Sequence, residues 1–153
     1  MKKLSSDIIN FFQNQGCVIV STVDKSGHVH CSCKGIVKIE VQGRIYLLDL
    51  YVSRTRENLK DNPHMSITAI DEHRFAGYSL KGKARIVSDE KLKSQLASAW
   101  EARITSRLTQ RLLRNIREEK GHPRHPEVMM PKPQYLIVME VEEAVDMTPR
   151  HLK

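Results

Sequence analysis

Four possible metal ligands crowd into six residues near the start of the chain: His28, His30, Cys31 and Cys33. Imidazole and thiolate are the usual zinc donors, and four of them would complete a tetrahedral shell. On an extended strand, however, alternate residues share a face. Cys31 and Cys33 then fall on one side and His28 and His30 on the other. The one remaining cysteine, Cys17, cannot supply a second Cys pair, so the stretch reads as small thiols on a strand and no metal site is expected. A second cluster, Ser53-Arg54-Thr55-Arg56-Glu57-Asn58, crowds hydroxyls and guanidiniums at the start of a short helix. Free backbone N–H groups at such a start point at any anion, and a guanidinium adds charge-assisted bonds. Ordinary capping by Ser53 or Thr55 with solvated arginines accounts for the same residues. Arg56 lies about 200° further round the helix than Arg54 and is expected to be solvated. A third cluster is the stripe of Arg103, Arg107, Arg111 and Arg114, which suits either a nucleic-acid backbone or the solvated shoulder of an amphipathic helix. The chain has no helix-turn-helix pair, and an aromatic content of 5% disfavours a base-stacking platform. No nucleic-acid partner is expected. No Gly-x-Ser-x-Gly elbow or other nucleophile–base set occurs, so any redox or transfer chemistry is expected to come from a bound cofactor.

The elements that must position these residues are short strands and tight turns. Ser5 or Ser6 caps a helix through Phe12, ended by Gly16. Residues 17–23 (CVIVSTV) form a β-branched run of strand length, Asp24 to Gly27 a turn, and residues 28–39 a second strand folding back on the first. A turn at Gln42-Gly43 leads to a third strand over residues 44–49, then a helix over residues 55–60 stopped by Asn62-Pro63. Residues 64–70 and 78–87 supply the fourth and fifth strands, and residues 135–141 (YLIVMEV) the last. Strands joined this closely signal an antiparallel sheet or barrel and not βαβ units. Residues 89–120 contain neither Gly nor Pro, and Ile104, Leu108, Leu112 and Ile116 recur every four residues. That spacing predicts a long helix whose apolar stripe lies on the barrel or on a partner subunit. Residues 122–133 (HPRHPEVMMPKP) read as a proline-rich loop.

Composition sets the outer bounds. A chain of 153 residues with 40% hydrophobic and 28% charged residues suits one ordinary folded domain over residues 1–153. It excludes collagen, a disordered tail and a disulfide-stapled miniprotein. No apolar run approaches the roughly 20 residues of a membrane span. The first residues, MKKLSSDIINFFQNQG, lack a secretory core, so a cytoplasmic location with no membrane partner is expected. The odd count of three cysteines agrees with reduced thiols. Lys plus Arg outnumber Asp plus Glu by 25 to 18, a net charge of +7, which favours anionic partners.

The order of parts resembles the FMN-binding split β-barrel superfamily, that of pyridoxamine 5′-phosphate oxidase and its relatives. The residues that carry the resemblance are Cys17 to Gly27, Gly43 to Asp49, Ser53-Arg54-Thr55, Asn62-Pro63 ahead of a strand, and Leu80 to Ala84. It implies a mainly β fold with helices (α+β): a six-stranded antiparallel split β-barrel, to which the sequence adds a long helix before the last strand. It also implies a homodimer with the cofactor, FMN, at the subunit interface. By this resemblance Ser53, Arg54 and Thr55 hold the FMN phosphate, while Cys31, Ser32 and Cys33 border the flavin ring and ribityl chain. Leu48 and Asp49 end the third strand and approach the cofactor, and Asn58 lies one helical turn beyond the phosphate cluster. The chain departs from the oxidase itself at two places. The oxidase's Arg and Lys on the second strand meet only Lys34 here, and the C-terminal residues 146–153 lack its Trp- and Arg-rich segment. The expected function is therefore an FMN-dependent oxidoreductase related to the oxidase but acting on a different, unknown small-molecule substrate. The alternative is a non-enzymatic flavin- or heme-binding module, for which seven histidines offer axial ligands. Some relatives take a deazaflavin instead.

Overall fold

The computed structural model describes residues 1–49, 51–87 and 134–152, together with 94, 96–102, 104–106, 109 and 113. Helix α1 (Ser6–Gln13) starts where Ser5 accepts a hydrogen bond from the Ile8 amide at 3.4 Å, the capping expected of a hydroxyl residue at that position. Strands β1 (Val18–Val23) and β2 (Val29–Lys34) form a hairpin. Its turn is held by the Asp24 carboxylate, which accepts from the Ser26 and His28 amides at 2.8 and 2.9 Å, and by Gly27 at φ +83°, a conformation that favours glycine. There follow β3 (Ile36–Ile39), β4 (Arg44–Asp49), α2 (Arg54–Asp61), β5 (His64–Asp71), β6 (Ala76–Val87), β7 (Tyr135–Asp146) and a closing 3₁₀ turn (Arg150–Leu152).

All strand pairs are antiparallel in one sheet of order β2-β1-β5-β6-β7-β4-β3. Its two edge strands are successive stretches of the same passage of chain, separated only by Gly35, so the sheet must curl into a half-barrel to bring them together. Reading residues 28–39 as one strand gives six strands; the described residues form seven. The passage changes partner at Gly35: Lys34 still opposes Val18 on β1, whereas Ile36 already opposes Leu47 on β4. Period-2 patterning reports which face a residue takes but not which neighbour it pairs with. The last strand runs five residues beyond the expected 135–141. Its continuation, Glu142 to Asp146, pairs with β6 past a bulge at Lys81/Gly82; three of its five residues are exposed acids, so Ala144-Val145 is too short an apolar signal to extend the strand.

Side-chain parity divides the core in two. Val18, Val20, Ile45, Leu47, Ile137, Met139 and Val141 point into the half-barrel. Tyr46, Leu48, Leu136 and Val138 point the opposite way and pack with Leu96, Trp100 and Ile104. Strands β4 and β7 are thus buried on both faces, which is why they read as continuous apolar runs. Each fully buried aliphatic side chain contributes about 1.5–3 kcal/mol relative to exposure. The long helix expected over residues 89–120 falls largely outside the described residues. Those described between 94 and 113 have helical backbone, but no continuous long helix precedes the last strand among the described residues. Ile104 is buried; Leu108, Leu112, Ile116, the basic stripe and the proline-rich stretch lie outside. Among the described residues no helix is long and apolar enough to cross a membrane.

Candidate functional site

The parity that fills the half-barrel also decides what closes its end. The last inward-pointing positions of three strands are polar: Lys34 on β2, Asp49 on β4 and, directly opposite Asp49 in register, Tyr135 on β7. Three donors converge on one oxygen of Asp49. Lys34 Nζ forms a close ion pair with Oδ2. The Tyr135 hydroxyl donates to Oδ2 at 2.5 Å and the Ser53 hydroxyl does so at 3.3 Å. The Lys34 and Asp49 side chains are only 5% and 9% exposed, so their charges are compensated within the protein and not by water. Burial, foremost, and the bond to Asp49 push the Tyr135 hydroxyl well above the ordinary tyrosine range.

Helix α2 lies over this end, and its first turn carries the rest of the cluster. Its N-cap, Ser53, makes no side-chain capping bond, because its hydroxyl is turned to Asp49 and Tyr135. Thr55 is fully buried and shares a 3.1 Å hydrogen bond with Ser32 on β2. Asn58 donates to Thr22 at 3.0 Å, tying the helix to β1. Arg56 is half-buried with its guanidinium 5.7 Å from the centre of the Tyr135 ring. Its Nε is buried with no hydrogen-bond partner, an expensive state for a guanidinium N–H. Arg54 is exposed.

Of the residues singled out from sequence, the structure brings Ser32, Asp49, Ser53, Thr55 and Asn58 together, with Arg54 at the rim. Cys31 and Cys33 are exposed on the opposite face of β2, where Cys31 contacts Ser21 at 3.3 Å. Leu48 is buried in the second core with Trp100 and Leu136, one residue out of phase with Asp49. The expectation that Arg56 is solvated is overturned: it is half-buried with its guanidinium over the Tyr135 ring, while Arg54 is exposed. Lys34 and Tyr135 were not among the candidates. A lone cation ending the otherwise uncharged run from Val29 to Cys33 was the available signal for Lys34; nothing local marked Tyr135. Among the described residues no group of three or more His, Cys, Asp or Glu is placed to hold a metal ion. A separate open groove of about 520 Å³ crosses the sheet over Ser21, Ser66 and Lys81 and includes none of the cluster.

Comparison with known proteins places the chain in a family. The family model described as pyridoxamine 5′-phosphate oxidase matches residues 5–146. The chain belongs to that family. Three solved structures resemble the fold of this family member. HupZ of Group A Streptococcus is 18% identical, with 95% of this chain and 94% of that one covered at a TM-score of 0.63. HutZ, the heme storage protein of Vibrio cholerae, is 19% identical over 94% of each chain, TM-score 0.58. An FMN-binding protein of Syntrophomonas wolfei is 10% identical, covering 94% of this chain and 83% of that one, TM-score 0.65. A search of curated proteins gives no match. At the start of α2 the N-cap makes no side-chain capping bond, and the Arg56 Nε in the first turn is buried without a hydrogen-bond partner.

Proposed function

We propose that this chain binds FMN with the cofactor phosphate at the N-terminus of α2, and that it serves as a flavin-dependent oxidoreductase distinct from pyridoxamine 5′-phosphate oxidase in its substrate. The observation that carries this reading is the unpartnered Arg56 Nε next to an N-cap whose hydroxyl points elsewhere. A phosphate there would accept from the amides of the first turn and from Arg56, with the helix dipole aligned to favour its charge. Flavin supplies hydride chemistry; the protein supplies position and electrostatics. Exposed Tyr51 and Val52, 53% and 61% accessible beside Ser53, are apolar surface at the mouth of the site. A second copy of the chain covering them would make the site one shared across a homodimer interface.

Among the described residues no histidine is buried as an enclosed axial ligand would be. Among the described histidines, His28, His64, His73 and His151 are exposed and His30 is half-buried. Flavin and heme are told apart by titrating each into the purified protein and recording the visible spectrum; a heme Soret shift without flavin binding would overturn the reading. The phosphate placement is tested by comparing FMN with riboflavin. Arg56→Ala should weaken FMN by about ten- to a hundredfold, the worth of a bond to a charged group, and leave riboflavin nearly unchanged. Arg54→Ala, at an exposed position, should cost FMN at most about fivefold. Equal losses for the two flavins in Arg56→Ala would refute the placement.

A further inference from the structure

The charges at the end of the half-barrel do not match a phosphate monoester as they stand. Lys34 and Asp49 are buried and neutralise each other. Arg56 is the half-buried cation left over, while Arg54 and Glu57 at the same helix end are exposed. The Ser53 hydroxyl, a natural phosphate donor, is held by Asp49 at 3.3 Å and lies 3.3 Å from Tyr135. One buried carboxylate therefore keeps both a lysine and a hydroxyl from an anion arriving at the α2 N-terminus, and sets its own negative charge beside it. We propose that Asp49 is the specificity-determining residue of this site: by holding Lys34 and Ser53 it lowers the preference for a doubly charged phosphate monoester over the same ligand without its phosphate. The inference rests on the phosphate placement proposed above and adds to it which residue sets the strength of phosphate recognition.

The geometry makes a directional demand. Replacing the carboxylate by an uncharged group frees Lys34 and Ser53, adding one cation and one donor to the site. A monoester carries about −1.5 to −2 charges at pH 7, so it gains while an uncharged ligand does not. Removing both members of the pair restores the original charge balance and frees Ser53 alone, so the gain should be clearly smaller than with Lys34 present.

The test measures FMN and riboflavin affinities, by quenching of flavin fluorescence, in the full chain and in Asp49→Asn, Asp49→Thr and the double variant Lys34→Met/Asp49→Leu. The expected result is FMN binding tightened about tenfold or more in both single variants, with riboflavin within about twofold. The double variant, with Ser53 freed but Lys34 absent, should raise the FMN-to-riboflavin ratio clearly less than the single variants do. An unchanged ratio in the single variants overturns the proposal. So does a double variant whose FMN affinity rises tenfold or more without Lys34, a criterion that holds by itself if the single variants fail to fold. Should FMN bind to none of the proteins, inorganic phosphate titrated against the amide resonances of residues 53–56 separates the two readings. Tighter phosphate binding in the single variants than in the original chain upholds the role of Asp49 while the flavin reading falls; equal phosphate affinity overturns the role of Asp49 as well.

Discussion

Replacing Lys34 by methionine removes one partner of an ion pair whose two side chains are 5% and 9% exposed. Stranding a buried charge costs about 3–5 kcal/mol. Two neutral donors, the Tyr135 and Ser53 hydroxyls, remain on the Asp49 oxygen, which places Lys34→Met at the low end, about 3 kcal/mol. For a domain of this size each kcal/mol lowers the melting temperature by about 2–4 °C, so a drop of about 6–12 °C is expected. Replacing both partners by apolar residues, Lys34→Met with Asp49→Leu, leaves no stranded charge and should fall within about 1 kcal/mol of the original chain. The assay is urea unfolding of the three proteins, read as midpoint shifts at constant slope so that the unfolded state is shown to be unchanged. The sign of the cycle is the critical result, because the second substitution should restore stability lost to the first. If Lys34→Met costs less than about 1 kcal/mol, the value of an exposed pair, the end of the half-barrel is wet and the charge argument for Asp49 fails with it.

Two further outcomes follow from local geometry. Burial and the bond to Asp49 raise the folded-state pKa of Tyr135 above its unfolded value. The stability this contributes is fully present below about pH 10 and is lost as the pH rises through the folded-state value, since the unfolded chain then releases the proton first. Tyr135→Phe should therefore be about 1–2 kcal/mol less stable at neutral pH yet lose less stability between neutral and strongly alkaline pH, as followed by circular dichroism. An alkaline profile parallel to that of the original chain would count against a buried, hydrogen-bonded hydroxyl. At the β6 bulge, a Cβ on Gly82 would collide with the Glu140 carbonyl oxygen on β7, whereas a Cβ on Gly16 meets open space. Gly82→Ala should cost about 3 kcal/mol or more and Gly16→Ala about 0.5 kcal/mol or less in the same unfolding assay; similar costs would refute the assigned register.

The sequence by itself was enough to mark most strand stretches, their turns and the family, because those rest on near-neighbour effects. The β-branched run before Asp24, the glycine at φ +83° and the proline after Asn62 act within a few residues, and their order along the chain is what the family shares. The cluster around Ser53 was visible for the same reason, since hydroxyls and guanidiniums at a helix start are local chemistry. Only the tertiary structure decided what surrounds that start. Lys34, Asp49 and Tyr135 are separated by 15 and 86 residues, and they meet because three strands end in phase at one end of a curled sheet. The split of one expected strand into β2 and β3 at Gly35 is of this kind, as are the exposure of Arg54, the approach of Arg56 to the Tyr135 ring and the burial of Leu48 on the far face. Each depends on register and on which neighbour a strand pairs with. Side-chain alternation along a strand leaves those choices open until the sheet closes.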